Sequence, residues 1–190
     1  MIRFFTAGES HGPGLVIIVE GIPAGLTLDE DYIGVQLGRR QKGYGRGGRM
    51  LIEQDHAVIT SGVRHGRTLG SPIGMTLENK DWANWQEAMA VEPVDNPDPD
   101  WKGRRITRIR PGHADLPEMV RSKGHSDPRG GGSNSARLTA GLVAAASICR
   151  PLEERGDWSV EAHVHSIGDV VSDPIETLPS GEGEDYENTR

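Results

Sequence analysis

Gly14-Leu15-Val16-Ile17-Ile18-Val19-Glu20 is the stretch whose reading decides the fold. It is apolar, rich in β-branched residues and bounded by glycine and proline, the pattern of a buried strand. Beyond it, Gly21-Ile22-Pro23-Ala24-Gly25 turns the chain. Thr27 and Glu30 stand at capping-box spacing, so a helix carrying Ile33 and Leu37 on one face should follow. Glycines 43, 45, 47 and 48 then make a loop that cannot be helical. Met50–Glu53, Ala57–Ser61 and Ile73–Asn79 read as short strands, the first two as a hairpin. Trp82, Trp85 and Met89 recur at helical spacing within Asp81–Met89.

Glu92–Trp101 is rich in proline and acid and reads as loop. Ala136–Glu153 is the strongest helix signal, with Leu138, Leu142, Ala145, Cys149 and Leu152 on one stripe; Pro151 should kink or end it. Ser159–Ile167 alternates in strand fashion, and from Ser172 the composition is that of a loop. Strands and helices mix without regular βαβ alternation, so the class is α+β. One domain spans 1–190, with 172–190 as loop.

Hydrophobic residues make up 35% of the 190 and aromatics 5%, which is lean for a self-sufficient core. Glycine (26) and proline (12) together form a fifth of the chain, which predicts long functional loops. The core is therefore expected to be completed from outside the chain. No signal peptide or membrane span is read, and a single cysteine, Cys149, fits a reducing cytoplasm. The net charge of −7 argues against nucleic acid. Two acid-free basic clusters stand out against it: Arg39, Arg40, Lys42, Arg46 and Arg49, then Lys102, Arg104, Arg105, Arg108 and Arg110. An acidic protein with such clusters suits a small anionic ligand.

Four constellations could carry chemistry. Gly8-Glu9-Ser10-His11-Gly12 places a serine beside a histidine, but adjacent residues on an extended chain diverge and no third triad member accompanies them. His11 reads better as a general acid beside phosphate, or else as a structural loop residue. Arg39 to Met50 matches Gly-x-Gly-x-x-Gly at 43, 45 and 48, yet it follows a helix, whereas the dinucleotide fingerprint follows a strand. Its arginines either grip phosphate or carboxylate bidentately or form a solvated basic loop. Arg129 to Arg137 runs through three glycines and Ser133, Asn134 and Ser135 into the strong helix, an anion site or an ordinary capped helix start. In Arg110-Pro111-Gly112-His113-Ala114-Asp115, either Asp115 orients His113 or the pair is simply a turn. Ser61 to Arg67 is similar in kind and less specific. His163 and His165 lack any thiolate pair or His-Glu-x-x-His, so no metal site is expected.

Taken in order, these blocks resemble the chorismate synthases. The resemblance rests on Gly8 to Leu26, Gly43-Tyr-Gly-Arg-Gly-Gly-Arg-Met50, Ser61 to Ile73, Asp81-Trp-Ala-Asn-Trp85, Arg110 to Asp115, and Arg129-Gly-Gly-Gly ahead of Ser135-Ala-Arg137. It runs from Met1 to about Ile167. It implies antiparallel sheets with packed helices and an anti 1,4-elimination of phosphate from 5-enolpyruvylshikimate 3-phosphate, with reduced FMN as cofactor. NADPH for flavin reduction and a homotetramer are implied for some or all members. His11 matches the family histidine that protonates the leaving phosphate, and His113 the one placed at the flavin. Ser10, Arg40, Arg46, Arg49 and Arg137 fall on the substrate side; Arg129, Ser133, Asn134 and Ser135 fall where flavin contacts are expected. Ser126 stands where many members carry arginine, and Leu138 where glutamate is usual. Family members are about twice as long and draw further flavin contacts and a catalytic aspartate from their second half. The resemblance therefore implies an enzyme whose site this chain alone does not complete; the alternative is a non-catalytic anion- or flavin-binding fragment.

Overall fold

The computed structural model describes residues 1–42, 54–95, 108–125, 129–156 and 162–172, the side chains of 129–131 excepted. They divide between two compact units, Met1–Leu152 and Glu153–Arg190. The first unit is built on a four-stranded antiparallel sheet. Its strands are β1 (Arg3–Gly8), β2 (Gly14–Glu20), β3 (Ala57–Ser61) and β6 (Ile73–Glu78), in the order β1-β2-β6-β3. β2 is as its sequence predicts, and its alternation decides which side faces inward. Leu15, Ile17 and Val19 are buried, while Val16 and Ile18 stay exposed beside Phe5 of β1. β6 continues the inner face with Ile73, Met75 and Leu77. Each such aliphatic side chain contributes about 1.5–3 kcal/mol on full burial.

Two helices cover that face. α1 (Glu30–Gln41) buries Ile33 and Leu37 as its periodicity predicts. Its cap is Asp29, whose carboxylate accepts from the Asp31 N–H at 2.9 Å; the backbone at Thr27 is instead bridged to Arg67. Glu30 and Asp31 in its first turn and Arg39 and Arg40 in its last complement the helix dipole. The strong helix signal of 136–153 is realised in three pieces: a 3-10 turn (Ala136–Leu138), α3 (Thr139–Ser147) and α4 (Arg150–Glu153). α3 turns Ala140, Gly141, Ala144, Ala145 and Ser147 inward, and Leu142 of the expected stripe is exposed. Small residues win here because the helix lies close to the sheet. A Cβ on Gly141 would stand 3.2 Å from Thr6 Cγ2 and 3.5 Å from Ile17 Cγ1. The break falls ahead of Pro151, where Ser147 returns its hydroxyl to the Val143 carbonyl at 2.8 Å, a bond that bends helices. Pro151 has no N–H to give the Ser147 carbonyl.

Other expectations are corrected. Residues 81–89 form a 3-10 turn (Lys80–Asn84) followed by further turns, rather than an α-helix. Ala57–Ser61 pairs with β6; its proposed hairpin partner, 50–53, lies outside the described residues. β4 (Val63–Arg64) and β5 (Arg67–Thr68) form a hairpin across His65 and Gly66, at φ 50 and 70, so Ser61 to Arg67 is largely a tight turn. Thr68 is buried there, donating to the Pro23 carbonyl at 2.7 Å and accepting from the Leu26 N–H at 3.0 Å. α2 (Asp115–Arg121) follows the turn at Arg110–Asp115, over residues for which the sequence predicts no element. In the second unit, 162–165 carry no strand, and the pairing is the short hairpin of β7 (Ser166–Ile167) with β8 (Val170–Val171). The whole is α+β, with antiparallel sheets and packed helices.

Candidate active site

The turn Glu9–Pro13 joins β1 to β2 at one end of the sheet, and Asn79, just past β6, holds it. The Asn79 carboxamide donates to the carbonyls of Glu9 (3.1 Å), Ser10 (3.4 Å) and Gly12 (2.8 Å), and its backbone N–H to Pro13 (3.1 Å). Ser10 is fully buried, and its N–H meets the Gly132 carbonyl at 3.2 Å. The glycine-rich run ahead of α3 is therefore tied to the histidine turn.

Arg137 reaches the other side of Asn79, its Nε donating to Oδ1 at 2.9 Å. The same guanidinium pairs with Asp55 Oδ1. Arg40, at the end of α1, donates to Thr139 Oγ1 (2.9 Å) and the Ala136 carbonyl (2.7 Å), and faces Asp55 Oδ2 at 3.6 Å. The Asp55 side chain is wholly buried, with the Arg40 and Arg137 side chains only 9% and 5% exposed. Two guanidiniums thus converge on one carboxylate. A buried carboxylate so placed needs both partners to offset its lost hydration.

His11 follows Ser10 in the same turn, with 14% of its side chain exposed. Its Nδ1 is 2.8 Å from Asp81 Oδ2, and its ring stacks on the Trp85 indole with centroids 3.8 Å apart and planes 21° off parallel. Trp85 Nε1 donates to the same Asp81 oxygen at 3.0 Å, and the Asn84 carboxamide to the other at 3.0 Å. The 3-10 turn delivers Asp81 and Asn84 together, three residues apart.

A second cluster forms at the start of α2. The Asp115 carboxylate is 2% exposed and gathers the Arg110 N–H (3.0 Å), its Nε (2.8 Å) and Nη2 (2.8 Å), and His113 Nδ1 (2.6 Å). Arg110 above all, and His113 after it, hold the Asp115 carboxyl well below the usual carboxylate range. Asp115 does orient His113, as one reading of this turn has it. Gly112, at φ 75, makes the turn.

Among the predicted residues, Ser10, His11, Arg40 and Arg137 are thus brought to one end of the sheet, and His113 sits with Asp115 and Arg110. Ser135 caps the 3-10 turn at 136–138 by accepting from the Arg137 N–H at 3.2 Å. Ser133 and Asn134 are exposed. Asn134 also hydrogen-bonds Glu118, whose carboxyl is lowered chiefly by Arg121. Arg129 lies in the 3-10 segment Arg129–Asn134, and Arg46 and Arg49 lie outside the described residues. Asp55, Asn79, Asp81 and Trp85 were not among the candidates. The bonds that tie them to His11 and Arg137 span 58–82 residues of sequence, and only the Asp81-to-Trp85 block gave any sign of them.

The family model for chorismate synthase matches residues 2–189. The chain is 49% identical over 176 residues to the chorismate synthase of Geobacillus sp. (strain WCH70), covering 92% of this chain and 45% of that one. It is 53% identical over 175 residues to the enzyme of Gloeobacter violaceus, covering 90% and 44%. A crystal structure of a chorismate synthase superposes with a TM-score of 0.56 at 35% identity, over 81% of this chain and 34% of that one. The chain spans a little under half the length of the curated relatives it matches.

Proposed function

Because the chain belongs to the chorismate synthase family, we propose that it forms part of a phosphate-lyase site for 5-enolpyruvylshikimate 3-phosphate. The observation that carries this reading is the Asn79 platform. One side chain joins the histidine turn to Arg137, so a proton donor and a positive charge share a rigid support. His11 delivers a proton to the departing phosphate, a role that typically gives about 10²–10⁴-fold in rate. Ser10, Arg40, Arg46, Arg49 and Arg137 bind the substrate anions and favour charge moving onto phosphate.

The family's cofactor, reduced FMN, supplies electron density as phosphate departs. The donor set suits such a phosphate-bearing heteroaromatic group: exposed Ser133 and Asn134 end a glycine-rich turn, and His113 is oriented by Asp115. Arg129 and Ser135 belong to the same segment, and His113 would address the flavin ring. NADPH as reductant, a homotetramer and a cytoplasmic setting complete the reading, with 1–190 acting as one domain. No helix among the described residues is long and apolar enough to cross a membrane.

The test is anaerobic phosphate release from 5-enolpyruvylshikimate 3-phosphate with excess reduced FMN. Release by the chain alone places every essential group within it. Release only after the second half of a relative is added places the missing groups there. No release in either case refutes the reading. His11→Ala should slow release about 10²–10⁴-fold with substrate affinity little changed; equal loss of both would remove His11 from the acid role.

A further inference from the structure

We propose that Asp81 is the positioning residue for His11, holding it as the Nδ1–H tautomer, with Trp85 fixing the plane of the ring. The proposal deepens the reading of His11 as proton donor and rests on it. A carboxylate can only accept, so at 2.8 Å from Asp81 Oδ2 the His11 Nδ1 must carry a hydrogen. Proton delivery then belongs to Nε2. When the imidazolium gives that proton to a phosphate oxygen, the Nε2–H bond breaks and an O–H bond forms. The neutral ring left behind is already the tautomer that Asp81 holds. No ring flip or proton rearrangement separates one delivery from the next.

The surroundings of Asp81 serve the same end. Trp85 Nε1 shares Oδ2 with His11 at 3.0 Å, and the Asn84 carboxamide takes Oδ1 at 3.0 Å, so rotation of the carboxylate would break three bonds together. The indole also lies against the imidazole at 3.8 Å between centroids, which leaves the ring one plane to occupy. One short segment, Asp81 to Trp85, thus supplies both the acceptor and the wall. Neither residue needs to touch substrate to matter.

The test is the tautomer of His11, read from long-range ¹H–¹⁵N spectra of the chain at a pH where the ring is neutral. The parent should show the Nδ1–H form, and an Nε2–H form in the parent overturns the proposal without any variant. Asp81→Asn should move the ring toward Nε2–H, because a carboxamide can donate as well as accept; a folded Asp81→Asn chain that keeps Nδ1–H overturns it. Trp85→Phe keeps the stack and should keep the tautomer. In the phosphate-release assay, Asp81→Asn should lower kcat about 10²-fold or more, with KM within about 3-fold. A KM that rises as kcat falls would mark a merely structural role and overturn the assignment. The predicted tautomers in a protein that releases no phosphate even with the second half of a relative added would support the role of Asp81 and refute the reaction.

Discussion

Removing the carboxylate of Asp55 tests the electrostatics of the site most directly. The side chain is 0% exposed and lies between two guanidiniums that are 9% and 5% exposed. Asp55→Ala would leave two like charges buried with their shared counter-ion gone. Breaking a buried ion pair by deleting one partner costs about 3–5 kcal/mol. For a chain of this length each kcal/mol moves Tm by about 2–4 °C, so a fall of about 6–20 °C is expected. Urea unfolding should show a lower midpoint with unchanged slope, since the same surface is exposed on unfolding. Asp55→Asn keeps one acceptor and should lose less. The double variant Asp55→Ala with Arg137→Met should recover about 0.5–3 kcal/mol relative to additivity, because one stranded charge is removed with its partner. If Asp55→Ala melts within about 2 °C of the parent, or if the double variant is additive, the carboxylate is not holding the two arginines.

Three further outcomes follow from other sites. The Asp115 carboxyl is lowered in the folded state, so as pH falls the unfolded chain takes up that proton first. Its contribution is complete above the unfolded value of about 3.9 and fades as pH drops toward the lower folded value; Asp115→Asn should flatten acid unfolding below pH about 4 and leave neutral pH without that slope. Burial raises the Cys149 thiol, so at pH 8 a thiol reagent should label the folded chain at least about tenfold more slowly than the urea-unfolded one; equal rates would contradict the helix-junction packing. Gly62 stands at φ 82, and a Cβ there would meet the Pro72 carbonyl oxygen at 2.5 Å and Ile73 Cα at 2.7 Å. Gly62→Ala should therefore cost about 1–3 kcal/mol from backbone strain, with the contact adding to it, and a urea midpoint equal to the parent's would refute this.

What was legible in the sequence was local. β2 and the Ile33–Leu37 face of α1 announce themselves through spacings of two and four residues. β1 did not, because Arg3-Phe-Phe-Thr-Ala-Gly8 has no alternation of its own and takes its form from pairing with β2. The predicted stripe holds at Ala145 and at Leu138, Cys149 and Leu152, which pack against the core, but fails at Leu142, because within α3 close packing on Ile17 favours glycine and alanine over larger residues. α2 was hidden by Pro117, which a helix accepts in its first turn. At the site, the two histidines and two described arginines were visible as residue types. Of the acids that hold them, Asp115 was visible beside His113, but Asp55, which stands 82 residues from Arg137, and Asp81, 70 from His11, were not. Local spacing carries no sign of either of these pairings.

The pairing of β2 with β6 also sets a timetable for synthesis. Gly14 meets Glu78, so 64 residues separate the two ends of the central ladder. A ribosome adding about 5–20 residues per second needs roughly 3–13 s to make that interval, whereas a hairpin such as β1–β2 closes in about 1–10 μs. For those seconds the nascent hairpin offers Leu15, Ile17 and Val19 on one side and Phe5, Val16 and Ile18 on the other, with its β2 edge unpaired. That interval is when a chaperone would find this chain, and when crowded polysomes would tangle it. Silent codon changes that slow translation between residues 21 and 72 should lower its soluble yield without altering a single contact in the finished fold.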